Sequence, residues 1–481
     1  MNKAILSLLI AMFLAGCAIG PDYKRPTIDT PAAWRVEEKE AQDKANTAWW
    51  HQFDDPVLNG LIDEALKQNN DLRVATARVD EYVGRFWVGR SGLFPQIGAY
   101  GSATQDRATE RGAAPIPSTV KNPVDNYQAG FNGSWEIDIW GKLRRSTEAS
   151  KADLLSTEEA RQAVILSLVS AVANGYITLR DFDKQLEIAN RTAKTREDSY
   201  KLFKLRYEGG VISELELNQV KSEYEQALAT IPQVEKQIGF QENALSVLLG
   251  RNPGPIDRGR SIDELALPAV PAGLPSDLLE KRPDVRQAEQ ALVAANARIG
   301  VAKAQFFPTI SLTGLFGWAS TELSNLFTGP AQVWSWGGAA VAPIFTGGSL
   351  LGQFWASEAI QQQTLFNYQN TVKTAFREVN DSLMNQKYTR EQLDAQKMQV
   401  DALRDYARIA RLRFDNGYTS YIEVLDAESS LFEAELSYSQ TQGTLFSDLV
   451  SIYKTMGGGW VTEADRLSTP RDNKETQNTS Q

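Results

Sequence analysis

Leu14-Ala15-Gly16-Cys17 places the only thiol of the chain behind an apolar run, Ala4 to Gly16, that follows the short basic start Met1-Asn2-Lys3. The run is too short to span a bilayer and has the charged start and apolar middle of a secretory signal. A cysteine at its end is a lipobox residue. The chemistry it invites is a thioether bond from the thiol to a diacylated glycerol and, after cleavage before Cys17, acylation of the freed amine. The other reading is a signal with an incidental cysteine, but a lone thiol in 481 residues standing at the cleavage point is hard to credit to chance. The single histidine, His51, lies beside Trp49-Trp50, has no metal or acid–base partner in sequence, and reads as structural. Gly457-Gly458-Gly459 lacks the Lys-Ser/Thr of a phosphate loop and reads as a helix stop. Glu423 and Asp426 are three apart and share one helix face, which by spacing alone is an ordinary solvated face. One cysteine and one histidine together exclude a disulfide framework, a cysteine-cluster metal site and an HExxH site. No catalytic residue, metal site or cofactor is expected beyond the covalent lipid on Cys17.

The composition suits a folded protein: 42% hydrophobic and 23% charged residues exclude wholesale disorder. The net charge of −10 argues against nucleic acid as a partner. No stretch after the signal has about 18 consecutive apolar residues, so no transmembrane helix is expected; membrane strands are not excluded, since they never form long apolar runs.

The elements that position these residues are written twice. Arg206-Tyr207-Glu208-Gly209-Gly210 recurs as Arg413-Phe414-Asp415-Asn416-Gly417, and Leu248-Leu249-Gly250 as Thr455-Met456-Gly457, both at an offset of 207. Leu93-Phe94-Pro95-Gln96-Ile97 matches Phe306-Phe307-Pro308-Thr309-Ile310, and Asn70-Asp71-Leu72-Arg73 matches Pro283-Asp284-Val285-Arg286, both at 213. The division that follows is a signal over 1–16, a lipid-anchored segment over 17–56, a first repeat over 57–250, a Pro/Gly-rich linker over 251–275, a second repeat over 276–459 and a polar tail over 460–481 expected to be disordered. Each repeat reads helix, β-hairpin, very long helix, turn, helix. The helices are expected over 57–91, 143–207 and 213–249, then 276–305, 350–414 and 420–456, with hairpins over 93–140 and 306–345. Leu217, Tyr224, Ile231, Ile238 and Leu245 step by seven along the last helix of the first repeat, and Val220, Ala227, Val234 and Leu248 form a second line broken by Gln241. That is coiled-coil patterning. Pro232 inside it predicts a kink or a distorted turn.

From Tyr127 to Trp140 every odd position is apolar or small, and even positions include Gln128, Asn132, Ser134, Glu136 and Asp138. Such alternation predicts a strand wet on one face and greasy on the other. The strands around Ile97, Ile310 and Trp336 alternate more weakly. The competing reading is a water-soluble sheet with one face on a core. Four strands cannot close a barrel, and open edges in lipid leave backbone groups unpaired at several kcal/mol each, so membrane strands here predict a trimer with 12.

At this point the chain resembles the outer membrane factors, the TolC-like family of outer-membrane efflux channels, and most of all their lipidated NodT group. The resemblance is carried by Gly20-Pro21-Asp22-Tyr23-Lys24-Arg25-Pro26, by Trp49-Trp50 with Phe53-Asp54-Asp55-Pro56, and by Trp135-Glu136-Ile137-Asp138-Ile139-Trp140-Gly141. Leu274-Pro275-Ser276-Asp277-Leu278-Leu279-Glu280-Lys281-Arg282-Pro283-Asp284 is the most specific block, and Pro343-Ile344-Phe345 with Gly347-Gly348 completes the set. It implies a mixed, mainly α fold: a long periplasmic α-helical barrel of coiled-coil hairpins, plus four transmembrane β-strands per protomer that close a 12-stranded β-barrel as a homotrimer. The implied function is a passive outer-membrane conduit of a tripartite efflux pump, with no catalysis. Its implied partners are a periplasmic adaptor and an inner-membrane RND-type transporter, and its exports are small toxic compounds such as drugs, solvents or metal ions. Ala18 after the lipidated cysteine, where bacterial lipoproteins kept in the inner membrane usually carry Asp, implies outer-membrane sorting. The resemblance further implies that the tips Arg206, Tyr207, Gly209, Gly210, Arg413, Phe414, Gly417 and Tyr418 dock the adaptor and gate the channel. It makes Glu423 and Asp426, with the first-repeat match Glu216, the lining of a periplasmic constriction whose six Glu423 and Asp426 carboxylates would favour cations. The family's locking contacts do not carry over intact, since Tyr418 and Thr419 stand where basic or Tyr residues can fall. The outer component of a type I protein secretion system and a structural periplasmic coiled-coil lipoprotein are the alternatives.

Overall fold

The computed structural model describes residues 18–31, 33–36, 48–111, 117, 121–270 and 278–457; Cys17, the front of the Leu274-to-Asp284 block and the polar tail lie outside the described residues. The first repeat runs α1 (Pro56–Gln68), α2 (Asn70–Ser91), β1 (Gln96–Asp106), β2 (Val124–Ile137), α3 (Lys142–Glu208) and α4 (Glu214–Leu248). The second runs α5 (Leu278–Lys281), α6 (Pro283–Ala304), β3 (Thr309–Ser320), β4 (Gln332–Val341), α7 (Ser349–Asp415) and α8 (Tyr421–Thr455). The bounds of α3 and α7, and of α4 and α8, differ by the same 207 residues, and those of α2 and α6 by 213. At 67 residues each, α3 and α7 are about 100 Å long.

The helix expected over 57–91 is two helices, because Asn69 leaves the helical conformation with ψ 129°. Its side-chain oxygen accepts from the Leu72 N–H at 2.9 Å, capping α2, and its amide donates to the Leu248 carbonyl at 2.9 Å. The second repeat breaks at the equivalent residue, Arg282, between α5 and α6, and the Arg282 guanidinium donates to the Thr455 carbonyl at 2.9 Å. Leu248 and Thr455 are the last residues of α4 and α8, so each repeat ties its first helical break to the end of its own last helix. Helix α4 is continuous through Pro232.

The residues form two compact units, one of Met1–Thr27, Arg78–Thr157 and Gln287–Tyr368, the other of Ile28–Ala77, Glu158–Arg286 and Gln369–Gln481. In the first, the strands make one antiparallel sheet in the order β1-β2-β3-β4. Gly130 and Gly317 face each other in register across β2 and β3; a Cβ on Gly317 would lie 2.5 Å from the Ala129 carbonyl oxygen, so only glycine allows this approach. The segment just after Cys17 is bound tightly within the same unit. Ile19 N–H donates to Trp140 O at 2.9 Å, Asp22 pairs with buried Arg145 at 2.6 Å, and Arg25 pairs with Glu289 at 2.6 Å. Gly20, at φ +116°, lies so close to Gly300 that a Cβ there would sit 2.5 Å from the Gly300 Cα.

The second unit holds the main apolar core. Trp49 stacks on Tyr453 with ring centres 5.1 Å apart, and Trp50 and Phe53 are fully buried beside them. Asp55, fully buried, caps α1 through the Val57 N–H at 2.8 Å and accepts from Tyr176 Oη at 2.9 Å and from Arg260 N at 3.0 Å. Helix α3 contains a window apolar enough by composition to cross a membrane, though not a run of consecutive apolar residues. Its Ile165, Val169, Val172, Tyr176 and Ile177 are buried in this core, which accounts for the apolar run without lipid. Gln241, the polar break in the α4 pattern, is satisfied by the Gly175 carbonyl of α3 at 2.9 Å.

Candidate functional site

Two places in the fold could act on something outside the chain: the sheet and the hairpin tips. In the sheet, the register gathers most of the large apolar side chains on one face. Phe131 lies opposite Phe316, Trp135 opposite Leu312 and Ile137 opposite Ile310, and the next strand adds Trp334 opposite Phe316 and Trp336 opposite Gly314. With Ile97 and Ala99 across from Gly133 and Phe131, these residues form one apolar face. Gln96, Ser102, Gln128, Asn132, Ser134, Glu136, Ser311 and Thr313 fall on the other. The apolar face is not a core: Ile97 is 78% exposed, Trp334 68% and Trp336 82%. An apolar sheet face of this extent left open fits lipid better than water.

The tips lie in the other unit. Both long helices end in the same hydrogen-bonded turn. Val211 N–H reaches back to the Arg206 carbonyl at 2.8 Å and Gly210 N–H to Tyr207 at 2.9 Å; Tyr418 N–H reaches Arg413 at 2.9 Å and Gly417 N–H reaches Phe414 at 2.9 Å. The turn needs a left-handed residue, supplied by Gly210 at φ +72° and Gly417 at φ +76°. Gly209, Gly210 and Gly417 are exposed, and Tyr418 is 77% exposed. Behind the turns, Phe203 packs on Phe414 and Tyr421 with centroids 6.1 and 4.1 Å apart, and the Arg206 guanidinium lies 5.8 Å from the Phe203 and Phe414 ring centres. The two tips are therefore one cluster, from which Tyr207, Val211, Leu215 and Ile422 protrude.

The three candidate carboxylates are not equivalent. Glu216 bonds the Ser213 N–H at 2.8 Å while Ser213 Oγ caps the Glu216 N–H, a capping box that holds the Glu216 carboxyl below its ordinary range. Glu423 pairs with Arg413 at 3.1 Å and accepts from Thr419 Oγ1. Asp426 is exposed, with the Tyr406 hydroxyl 3.5 Å away. Burial, and then the Asp426 and Glu423 charges, raise the Tyr406 pKa. Of the Glu423/Asp426 pair, Asp426 presents the less compensated charge.

The family profile described as "Outer membrane efflux protein" matches residues 61–251 and 274–458 of this sequence. The chain belongs to the outer membrane efflux protein family. This efflux protein is 36% identical to the toluene efflux pump outer membrane protein TtgC of Pseudomonas putida over 478 residues, 97% of this chain and 98% of that one. It is 33% identical to the cation efflux system protein CusC of Escherichia coli over 468 residues, 95% of this chain and 98% of that one. A solved CusC structure, from work on folding and transmembrane channel formation, superposes with a TM-score of 0.82, covering 92% of this chain and all of that one. The probable outer membrane lipoprotein SilC of Salmonella typhimurium is 34% identical over 463 residues, 95% of this chain and 99% of that one. The efflux protein is thus an outer-membrane channel component of an efflux pump, with a helical barrel and membrane strands.

In this efflux protein the sequence did not reveal how the two hairpins are joined. Glu435 of α8 pairs at once with Arg191 of α3 and with Arg404 of α7, the latter at 3.0 Å. The clamp borders two grooves between α3, α7 and α8, of about 250 and 530 Å³, lined among others by Arg191, Arg404 and Glu435. Its partners are 244 and 31 residues from Glu435, and no local motif marks them. Among the described residues no group of three or more His, Cys, Asp or Glu is arranged to hold a metal ion.

Proposed function

We propose that three copies of this chain form the passive conduit, each giving four strands to a 12-stranded barrel. The observation that carries this is the sheet itself: one broad apolar face, and two outer strands, β1 and β4, each paired on one side only. In lipid those edges need partners, and identical copies placed head to tail in a ring supply them, β1 of one to β4 of the next. The tip cluster at Gly210 and Gly417 is the docking and gating end for a periplasmic adaptor, and an inner-membrane RND-type transporter supplies energy. Asp426, backed by Glu423, lines the constriction. Glu216 is held in its capping box, which argues for a structural role there. Cys17 carries lipid. Relatives named for toluene and for cations support export of small toxic compounds as the substrate class, with selection made by the transporter.

Mass measurement in detergent tests the assembly. Three chains per particle are expected. A stable monomer of unchanged strand content overturns the shared barrel.

A further inference from the structure

We propose that the β3–β4 loop, residues 321–331, is seated in the acyl-chain layer of the membrane's outer leaflet, and is not a free loop over the channel mouth. The proposal rests on the apolar sheet face being the lipid-facing one. Helices α3 and α7 follow the Ile137 and Val341 ends of their strands, so the loop leaves the sheet at the opposite, outward end.

Three observations point to lipid. The first is continuity. Phe316 meets Trp318 edge to face at 5.5 Å, and Trp318 meets Phe327 of the loop at 5.6 Å, so an aromatic ladder runs from the apolar sheet face into the loop. Beyond it Phe327 and Leu323 are 69% and 64% exposed.

The second is height. From Ile310 to Trp318 the apolar face of β3 spans eight residue steps of about 3.4 Å, or about 21 Å along the normal at a tilt of about 40°. A membrane barrel presents an apolar band of about 25 Å. Leu323 and Phe327 lie where the missing few ångströms are.

The third is that the loop pairs part of its own backbone polar groups, which lowers the cost of entering a lipid layer. Two short 3₁₀ turns, Leu323–Asn325 and Gly329–Ala331, organise it. The N–H groups of Asn325, Leu326, Thr328 and Ala331 bond the carbonyls of Glu322, Leu323, Asn325 and Thr328 at 3.1–3.3 Å. Glu322, its only ionisable side chain, accepts from the Asn325 amide at 2.7 Å. The β1–β2 loop differs: Arg107, Glu110, Arg111 and Lys121 make it charged, as suits a loop in water.

Nitroxide labels on Phe327→Cys, Leu323→Cys, Trp336→Cys and Thr109→Cys, in reconstituted full-length protein, test the proposal by collision with dissolved oxygen and with a water-soluble nickel chelate. Unsubstituted protein labelled in parallel removes any signal from Cys17. Labels at 327 and 323 should collide several-fold more with oxygen than with nickel, like 336 and unlike 109. If 336 favours oxygen but 327 and 323 favour nickel, the loop proposal falls and the lipid-facing sheet stands. If 336 also favours nickel, the sheet reading falls first. Labels at 327 and 323 shielded from both agents mean a protein contact there, and overturn the proposal too.

Discussion

Asp426 and Glu423 sit three residues apart on one helix face, yet the structure gives them different electrostatic weight. Glu423 has a guanidinium at 3.1 Å, and Asp426 has a hydroxyl at hydrogen-bonding limit. A carboxylate paired with its own protomer's arginine adds little net field to an aperture. Ions crossing it would respond chiefly to Asp426, and at physiological salt only across a constriction narrower than the Debye length of about 8 Å. Asp426→Ala should therefore move the reversal potential under a KCl gradient further than Glu423→Ala/Arg413→Ala, which removes a neutral pair. Glu423→Ala alone should move it in the same direction as Asp426→Ala, because it frees Arg413, whose positive charge then acts on the aperture. Planar-bilayer recordings of the three variants check the order. If none of them shifts from wild type, these residues are a solvated face and no more. The spacing of the two acids was visible in the sequence. Their inequality was not, since it depends on where Arg413 and Thr419 fall after the turn at Gly417 closes.

At the scale of elements, α3, α7 and α8 meet at Glu435, whose side chain is 13% exposed between two arginines of different hairpins. Removing one partner of such a cluster leaves charges poorly compensated, and the cost exceeds that of a surface pair. Glu435→Gln keeps the shape and removes the charge. It should loosen α7 and α8 from α3 and raise the resting conductance of reconstituted channels roughly several-fold, with Arg404→Gln giving a smaller rise since Arg191 remains; unchanged conductance in both would leave the clamp without a gating role. The long helices and the repeat were legible because 207-residue offsets and apolar periodicity are local or self-similar signals. The alternation from Tyr127 to Trp140 foretold the two faces of the sheet for the same reason. The breaks at Asn69 and Arg282 were not legible. Both residues lie inside helical patterns, and each is turned out of the helix by a hydrogen bond to a carbonyl 173 or 179 residues away. The Glu435 clamp was hidden likewise.

For the whole molecule, the segment that follows Cys17 reaches the sheet. The chain from Ala18 to Arg25 starts at Trp140, beside the helix-side end of the strands, and is fixed further along to Arg145 and Glu289 of the adjoining helices. Labelled palmitate should enter the wild type and not Cys17→Ser; equal labelling of the two would remove the lipid from this account. Cys17→Ser should keep partial export when it reaches the membrane, because the strands also hold the protein there. The unpaired edges of β1 and β4 carry a further consequence, for the order of events in the cell. On the shared barrel proposed above, a lone protomer has no resting place: in water its apolar face is bare, and in lipid its edges are. Insertion and association must then be a single event whose rate climbs steeply with the number of waiting copies. Below some level of synthesis the chain would linger and meet proteases; far above it, edges would find wrong strands and clump. Yield of active channel should therefore peak at an intermediate rate of production, and pulse-chase at graded induction would trace that peak.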